Sequence, residues 1–222
     1  CEGLVGSEMC IRDRPEGVSC LVIGNQTGDW INNDKRIPLV SFTGSTNTGR
    51  HVSQTVAARF GKTILELGGN NAIIISDQAN LEMAIKGSVF GAVGTAGQRC
   101  TSTRRLIIHE SIYDKTIKAL KGAYKQIKVG SPLVASNHMG PLIDKGAVDN
   151  YSNAIKQAKK EGGKVLVNGG VLSGSNYASG CYVKPCIIEV NNDYEIVQSE
   201  TFAPILYVMK YKTLDEAIAM QN

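Results

Sequence analysis

Histidine is scarce in this 222-residue chain, and cysteine never occurs at metal-binding spacing. His51, His109 and His138 stand far apart, and none of Cys1, Cys10, Cys20, Cys100, Cys181 and Cys186 forms a CxxC pair. Structural zinc draws its ligands at short recurring spacings, so no metal centre is expected. No apolar run approaches the roughly 20 residues that cross a bilayer, so no membrane partner is expected. An excess of one charge is also missing. The 24 Lys and Arg are scattered, the net charge is +4 and the pI is near 8.7, which does not suggest nucleic acid. The opening residues lack the basic-then-apolar pattern of a secretion signal. The thiols are therefore read as reduced and the protein as cytoplasmic. There is no GxGxxG, no internal repeat and no low-complexity tract.

What is present is an ordinary globular composition, 42% apolar and 20% charged with 24 glycines. The chain is long enough to bury a sizeable core in one or two domains. Residues 1–14 show neither helical nor strand periodicity and are expected to be a non-native lead-in, of the kind a translated sequencing adapter leaves. From Pro15 the pattern is regular. Cys20-Leu21-Val22-Ile23 predicts a buried strand, followed by a turn over 25–29 and a short helix from Trp30. Leu39–Thr43 predicts a second strand, Gly44–Gly49 a turn, Arg50–Phe60 a helix stopped by Gly61, and Thr63–Leu65 a third strand. This is a βαβ unit, and its continuous apolar runs suit a parallel sheet covered on both faces.

A second series begins with the strand Ala72–Ile75 and a helix capped by Asp77 or Asn80 that runs towards Phe90. The strand Leu106–Ile108 follows. Ser111 with Asp114 predicts a capping box, before a helix with Ile117, Leu120, Tyr124 and Ile127 on one stripe. Asp144 leads into a helix with Tyr151, Ile155 and Ala158 inward. Lys164–Val167 predicts a strand, 168–180 a loop, and Ile187–Val190 and Ile205–Val208 two more strands. Thr213 with Glu216 opens a last helix, which the chain end interrupts; truncation is expected there.

Four stretches carry candidate chemistry. In Gly97-Gln98-Arg99-Cys100-Thr101-Ser102 a lone cysteine follows three glycines, Gly91, Gly94 and Gly97. It is either an inert thiol or a nucleophile whose thiolate Arg99 favours. Gly44-Ser45, between a strand and a helix N-terminus, suits a phosphate or is an ordinary βα turn. Glu66 ends a strand before Gly68-Gly69. It is either a general base at the edge of a parallel sheet or a surface carboxylate beside a turn. Glu200 and Phe202 in Glu200-Thr201-Phe202-Ala203-Pro204 could accept from a ribose hydroxyl and pack on a flat cofactor, or could form a polar strand-entry loop.

In their fixed order these four stretches resemble the aldehyde dehydrogenase superfamily from Pro15 to Asn222, as does the spacing of 34 residues from Glu66 to Cys100. Glu66–Ala72, Val93–Thr101 and Glu200–Ile205 are similar to the antiquitin branch, which oxidises α-aminoadipic semialdehyde in lysine breakdown. The resemblance implies an α/β fold: the end of a Rossmann-type coenzyme domain over 15–67, then most of an α/β catalytic domain over 68–222. It implies NAD as cofactor and an aldehyde as substrate. Cys100 would be the nucleophile and Glu66 the base that activates water. Gly28 and Asp29 would sit near the adenosine, and Gly44 and Ser45 would hold the pyrophosphate. Leu67 would offer backbone to the nicotinamide amide, Glu200 would bind its ribose, and Phe202 would lie against its ring. Arg99, with Thr101 as a neighbour, would meet the carboxylate end of the substrate.

The same resemblance implies that segments upstream and downstream are absent, including an oxyanion-hole Asn, a ribose-gripping Lys and an oligomerisation strand. The isolated chain is accordingly expected to be inactive, and its parent to be a homodimer or homotetramer. Competing readings are an aldehyde dehydrogenase of other specificity, a CoA-acylating relative, and a non-catalytic scaffold. Glu66 argues against the second, and Glu66 together with Cys100 against the third.

Overall fold

The computed structural model describes residues 15, 17–24 and 26–222. The expected lead-in lies outside the described residues. The chain divides into two compact units, Cys1–Leu67 and Gly68–Asn222.

The first unit contains α1 (Thr27–Asn33), β1 (Leu39–Gly44), α2 (Thr46–Ala58) and β2 (Lys62–Leu67). β1 and β2 pair in parallel, from Leu39 opposite Lys62 to Gly44 opposite Leu67. The helix between them begins earlier than its apolar stripe implies. Ser45 is extended, and its side chain accepts from the Thr48 N–H, so the helix starts at Thr46 and no separate turn spans 44–49. At the other end Phe60, not Gly61, takes the left-handed conformation, at φ 63°. Cys20–Ile23 is a correction. It forms no strand, and Leu21, Val22 and Ile23 are exposed. A strand exists only with a partner to complete its hydrogen bonds, and among the described residues the sheet of this unit has two strands, β1 and β2. The buried core is correspondingly small: Val40, Val52 and Val56, with Ile37, Phe42 and Leu65 against them.

The second unit is built on a five-stranded sheet. Its strands are β3 (Ala72–Ile75), β4 (Arg105–His109), β5 (Lys164–Val167), β8 (Cys186–Glu189) and β9 (Ile205–Tyr211), in the order β3-β4-β9-β8-β5. The first four in that order run parallel, and β5 closes the edge antiparallel to β8. Helices α3 (Leu81–Val93), α4 (Tyr113–Tyr124), α5 (Lys145–Lys160) and α6 (Leu214–Gln221) complete the unit. Leu106, Ile107 and Ile108 are fully buried, as a parallel strand covered on both faces requires. Ile117, Leu120, Tyr124, Tyr151 and Ala158 pack into the same core.

Three helix starts follow their capping residues. Asn80 accepts from Met83 N–H, Asp144 from Ala147 N–H, and Thr213 from Glu216 N–H. The capping box at Ser111 does not form. Ser111 bonds back to the His109 ring within a short 3₁₀ turn, and α4 starts at Tyr113 with no side-chain cap. The expected loop at 168–180 also contains structure. Gly170–Val171 (β6) pairs antiparallel with Val183–Lys184 (β7). No described helix is long and apolar enough to cross a membrane.

Candidate active site

In the second unit three segments converge because of strand register. Gly68–Asn71 leads into β3, residues 97–104 lead into β4, and residues 199–204 lead into β9. These three strands are parallel neighbours, with Ala72 opposite Arg105 and Arg105 opposite Tyr207. Their lead-in segments therefore meet at one N-terminal edge of the sheet.

Cys100 sits in the middle segment as an exposed, free thiol. Its backbone N–H has no acceptor among the described residues and is open to a developing oxyanion. Its carbonyl accepts from the Asn71 side chain at 2.5 Å, and the same amide donates to Ser102 O at 3.1 Å. Ser102 closes the turn from inside. Its N–H donates to Arg99 O, and its hydroxyl accepts from Arg99 N–H at 3.1 Å. Gln98 ties the turn to the chain before α5, donating to Pro141 O and accepting from Ile143 N–H.

The approach to this turn is strained. Thr95, Ala96 and Gly97 all have positive φ, at 54°, 54° and 69°. Left-handed backbone costs a non-glycine residue about 1–2 kcal/mol, and such residues concentrate where a site holds them. Gly97 has a second reason to be glycine. A Cβ there would stand 2.4 Å from the Ala203 carbonyl oxygen. That close approach seats the cysteine segment on the Ala203-Pro204 peptide.

Arg104 binds the segments together, and sequence reasoning missed it. Its side chain is 2% exposed. Nη1 donates to Gly97 O at 3.1 Å and to Thr201 O at 2.6 Å; Nη2 donates to Arg99 O at 3.0 Å and to Glu200 Oε1 at 3.1 Å. Its guanidinium carbon lies 5.1 Å from the centre of the Phe202 ring. Burial pulls the guanidinium below its ordinary pKa, opposed chiefly by the Glu200 carboxylate. Arg105 looks the same in sequence but is used elsewhere. It donates to Asn70 O and to Met220 O at the end of α6. A pair of adjacent arginines entering an apolar strand was the available signal. Buried arginines are rare unless they are paired.

The other candidates fall as follows. Glu200 is half-buried, with Oε1 on Arg104 and Oε2 against Gly68, where a Cβ would stand 1.7 Å away. Phe202 is exposed, as is Thr101. Arg99 lies over the Phe90 ring at 5.2 Å, and its Nε finds no partner among the described residues. In the first unit, β1–β2 register puts Gly44 beside Leu67 and Thr43 beside Glu66, so Gly44, Ser45, Glu66 and Leu67 share the C-terminal edge of that sheet. Gly28 and Asp29 lie on α1, where the Asp29 carboxylate is 3.8 Å from the His51 ring on α2. Among the described residues no group of three or more His, Cys, Asp and Glu side chains could hold a metal.

Comparison with known proteins agrees with this architecture. The profile of the Aldehyde dehydrogenase family matches residues 8–222. The chain is 50% identical to aldehyde dehydrogenase family 7 member A1 of Pisum sativum over 90% of its length and 38% of the relative. It is 48% identical to the alpha-aminoadipic semialdehyde dehydrogenase of Bos taurus, over 90% of this chain and 36% of the relative. Among solved structures, a betaine aldehyde dehydrogenase double mutant from Staphylococcus aureus with NAD+ superposes with a TM-score of 0.93 at 33% identity, covering 99% of this chain and 44% of that one. Another structure of betaine aldehyde dehydrogenase from the same organism with NAD+ gives a TM-score of 0.87 at 33% identity, covering 91% of this chain and 41% of that one. The chain thus spans about two-fifths of the proteins it matches. With a family match over nearly its whole length and the same fold as solved members, the chain belongs to the aldehyde dehydrogenase family.

Proposed function

We propose that this chain carries the nucleophile and part of the coenzyme site of an enzyme that oxidises an aldehyde to a carboxylic acid with NAD, the substrate being L-2-aminoadipate 6-semialdehyde. The observation that carries the reading is the exposed Cys100 thiol on a turn braced against the Glu200–Phe202 segment by a buried guanidinium. The relatives' names and the NAD+ in the solved neighbours support it.

The residues present fit the coenzyme. At the start of α2 the Thr48 N–H is taken by Ser45 Oγ and the Gly49 N–H by Ser45 O. The N–H groups of Thr46 and Asn47 have no partner among the described residues and suit a pyrophosphate at the positive end of the helix. Glu200 supplies the carboxylate for a ribose diol, and Phe202 an exposed ring for a flat base. NAD, when bound, supplies the acceptor for the hydride.

On the protein side, the Cys100 thiolate forms a C–S bond to the aldehyde carbon, and the oxygen takes the charge beside the free Cys100 N–H. Loss of hydride from that carbon leaves a thioester on Sγ. Glu66 is proposed to take a proton from the water that attacks the thioester. Breaking the C–S bond releases the acid and restores the thiolate. Arg99 is proposed to pair with the substrate carboxylate, because a guanidinium fits a carboxylate bidentately. The free state of the four described cysteines supports a cytoplasmic setting.

The test is NADH formation by the full-length protein that contains these residues, with α-aminoadipic semialdehyde and with a neutral aldehyde of similar size. The expected result is preference for the acidic substrate, and loss of turnover in Cys100→Ser with NAD binding retained. Equal rates on the two aldehydes would remove the role given to Arg99, and activity surviving in Cys100→Ser would remove the nucleophile.

A further inference from the structure

We propose that Arg104 is a positioning residue that makes the nucleophile turn and the Glu200 segment one mechanical and electrostatic body, so that a change at Glu200 is felt at Cys100. The inference rests on the proposed roles of Cys100 and Glu200, but its test needs neither aldehyde nor NAD.

The geometry is reciprocal. Each of the two terminal guanidinium nitrogens makes one bond to the cysteine segment and one to the Glu200 segment. Nη1 joins Gly97 O to Thr201 O, and Nη2 joins Arg99 O to Glu200 Oε1. Both carbonyls held on the cysteine side lie within three residues of Cys100. The planar fork keeps the four acceptors in one arrangement, which a lysine ammonium cannot reproduce. Glu200 has little freedom of its own. Its second oxygen is pressed against the bare backbone of Gly68, at a position where no side chain would fit. Oε1 is held by Arg104, and Oε2 accepts no hydrogen bond among the described residues. Water is excluded from the junction, since the arginine side chain is 2% exposed, so the pairing is weakly screened. Cys100 is among the groups whose charge the Arg104 guanidinium feels, so the two lie within Coulombic reach.

The experiment is the rate of Cys100 alkylation by iodoacetamide at neutral pH, read by peptide mass spectrometry on the purified protein, with circular dichroism as the check on folding. Arg104→Gln is expected to slow alkylation at least threefold. Glu200→Gln, which leaves the guanidinium charge uncompensated, is expected to speed it at least twofold. In the double variant the Glu200→Gln effect is expected to vanish, because the connection is gone. Arg104→Lys keeps the charge without the fork and is expected to fall between wild type and Arg104→Gln. Added guanidinium ion at millimolar concentration is expected to restore part of the rate in Arg104→Gln.

A folded Arg104→Gln protein alkylated at the wild-type rate would overturn the proposal, as would Glu200→Gln having no effect or acting independently of Arg104. If Arg104→Gln does not fold, Glu200→Gln and Arg104→Lys decide it alone. Should these rates shift as expected while the full-length protein fails to oxidise aldehydes, the proposed function falls and the coupling stands.

Discussion

In the first unit four of the candidate residues finish strands or follow them: Glu66 and Leu67 end β2, Gly44 ends β1 and Ser45 caps α2; Gly28 and Asp29 lie on α1. In the second unit they precede strands: Asn71 before β3, Cys100 and Arg104 before β4, Glu200 before β9. The first arrangement is the usual one for an open α/β sheet, where ligands bind beyond the carboxyl ends of the strands. The second uses the N-terminal edge of its own sheet. Order there comes from side chains, chiefly Arg104, Asn71 and Gln98. The units differ in core as well. One buries Val40, Val52 and Val56; the other buries a continuous cluster across the sheet and its helices. A site that must hold a strained turn has the larger core beneath it, because only over-determined packing keeps residues such as Thr95 and Ala96 left-handed.

Because the two cores differ, deletions in the two units will not cost the same. Leu206→Ala, at a fully buried β9 position, is expected to destabilise the second unit by about 3 kcal/mol, within the usual range for such cavities. Val56→Ala in the first unit removes two methyl groups, about 1.5 kcal/mol at roughly 0.8 per buried carbon. Amide exchange resolved by peptide would show this, with the first unit opening at lower free energy in the wild type too. Equal protection in both units would break the comparison.

Gly97→Ala is expected to cost about 2–3 kcal/mol, combining a positive φ with overpacking on Ala203. The loss should appear as faster exchange over 95–104 and 200–205 and leave 39–67 unchanged. Exchange that stays slow in both segments would mean the Gly97 contact does not hold the turn.

Alkaline pH separates the buried thiol from the exposed ones. Burial pushes Cys186 up to about 12, from an ordinary value near 9. The folded state holds the proton that the unfolded state loses, so this contribution is complete below pH 9 and declines as pH rises towards 12. The slope is about 1.4 kcal/mol per pH unit. Cys186→Ala should flatten the denaturant-midpoint profile above pH 9; an unchanged profile would place the ionisation elsewhere. The smallest effect is Ser45→Ala, about 1 kcal/mol from loss of the cap on α2. It should be visible as fraying at Thr46–Gly49, and in the proposed enzyme as weaker NAD binding measured by titration.

Cys100, Glu66, Gly44-Ser45 and Glu200-Phe202 were readable as candidates because each is a local pattern: a reactive residue among glycines, or a carboxylate at the end of an apolar run. Strand and helix identities in the second unit were readable for the same reason, since Leu106-Ile107-Ile108 and the Ile117–Tyr124 stripe carry their own periodicity. The arginine pair was visible, but Arg104 could not be singled out within it. Nothing local distinguishes it from Arg105, and its four acceptors include atoms 96 and 97 residues away in sequence. Cys20–Ile23 failed in the opposite direction. Its composition is that of a strand, but composition supplies no hydrogen-bonding partner.

The amino-acid sequence by itself determined the alternation of strands and helices, the residues capable of chemistry, and the family, because these depend on residue type and short spacing. Tertiary structure alone decided that three segments distant in sequence meet at one sheet edge. It decided which of two adjacent arginines joins them, and that Glu200 commits one oxygen to the protein itself. Those outcomes depend on strand order and register, which bring together groups that no local spacing connects.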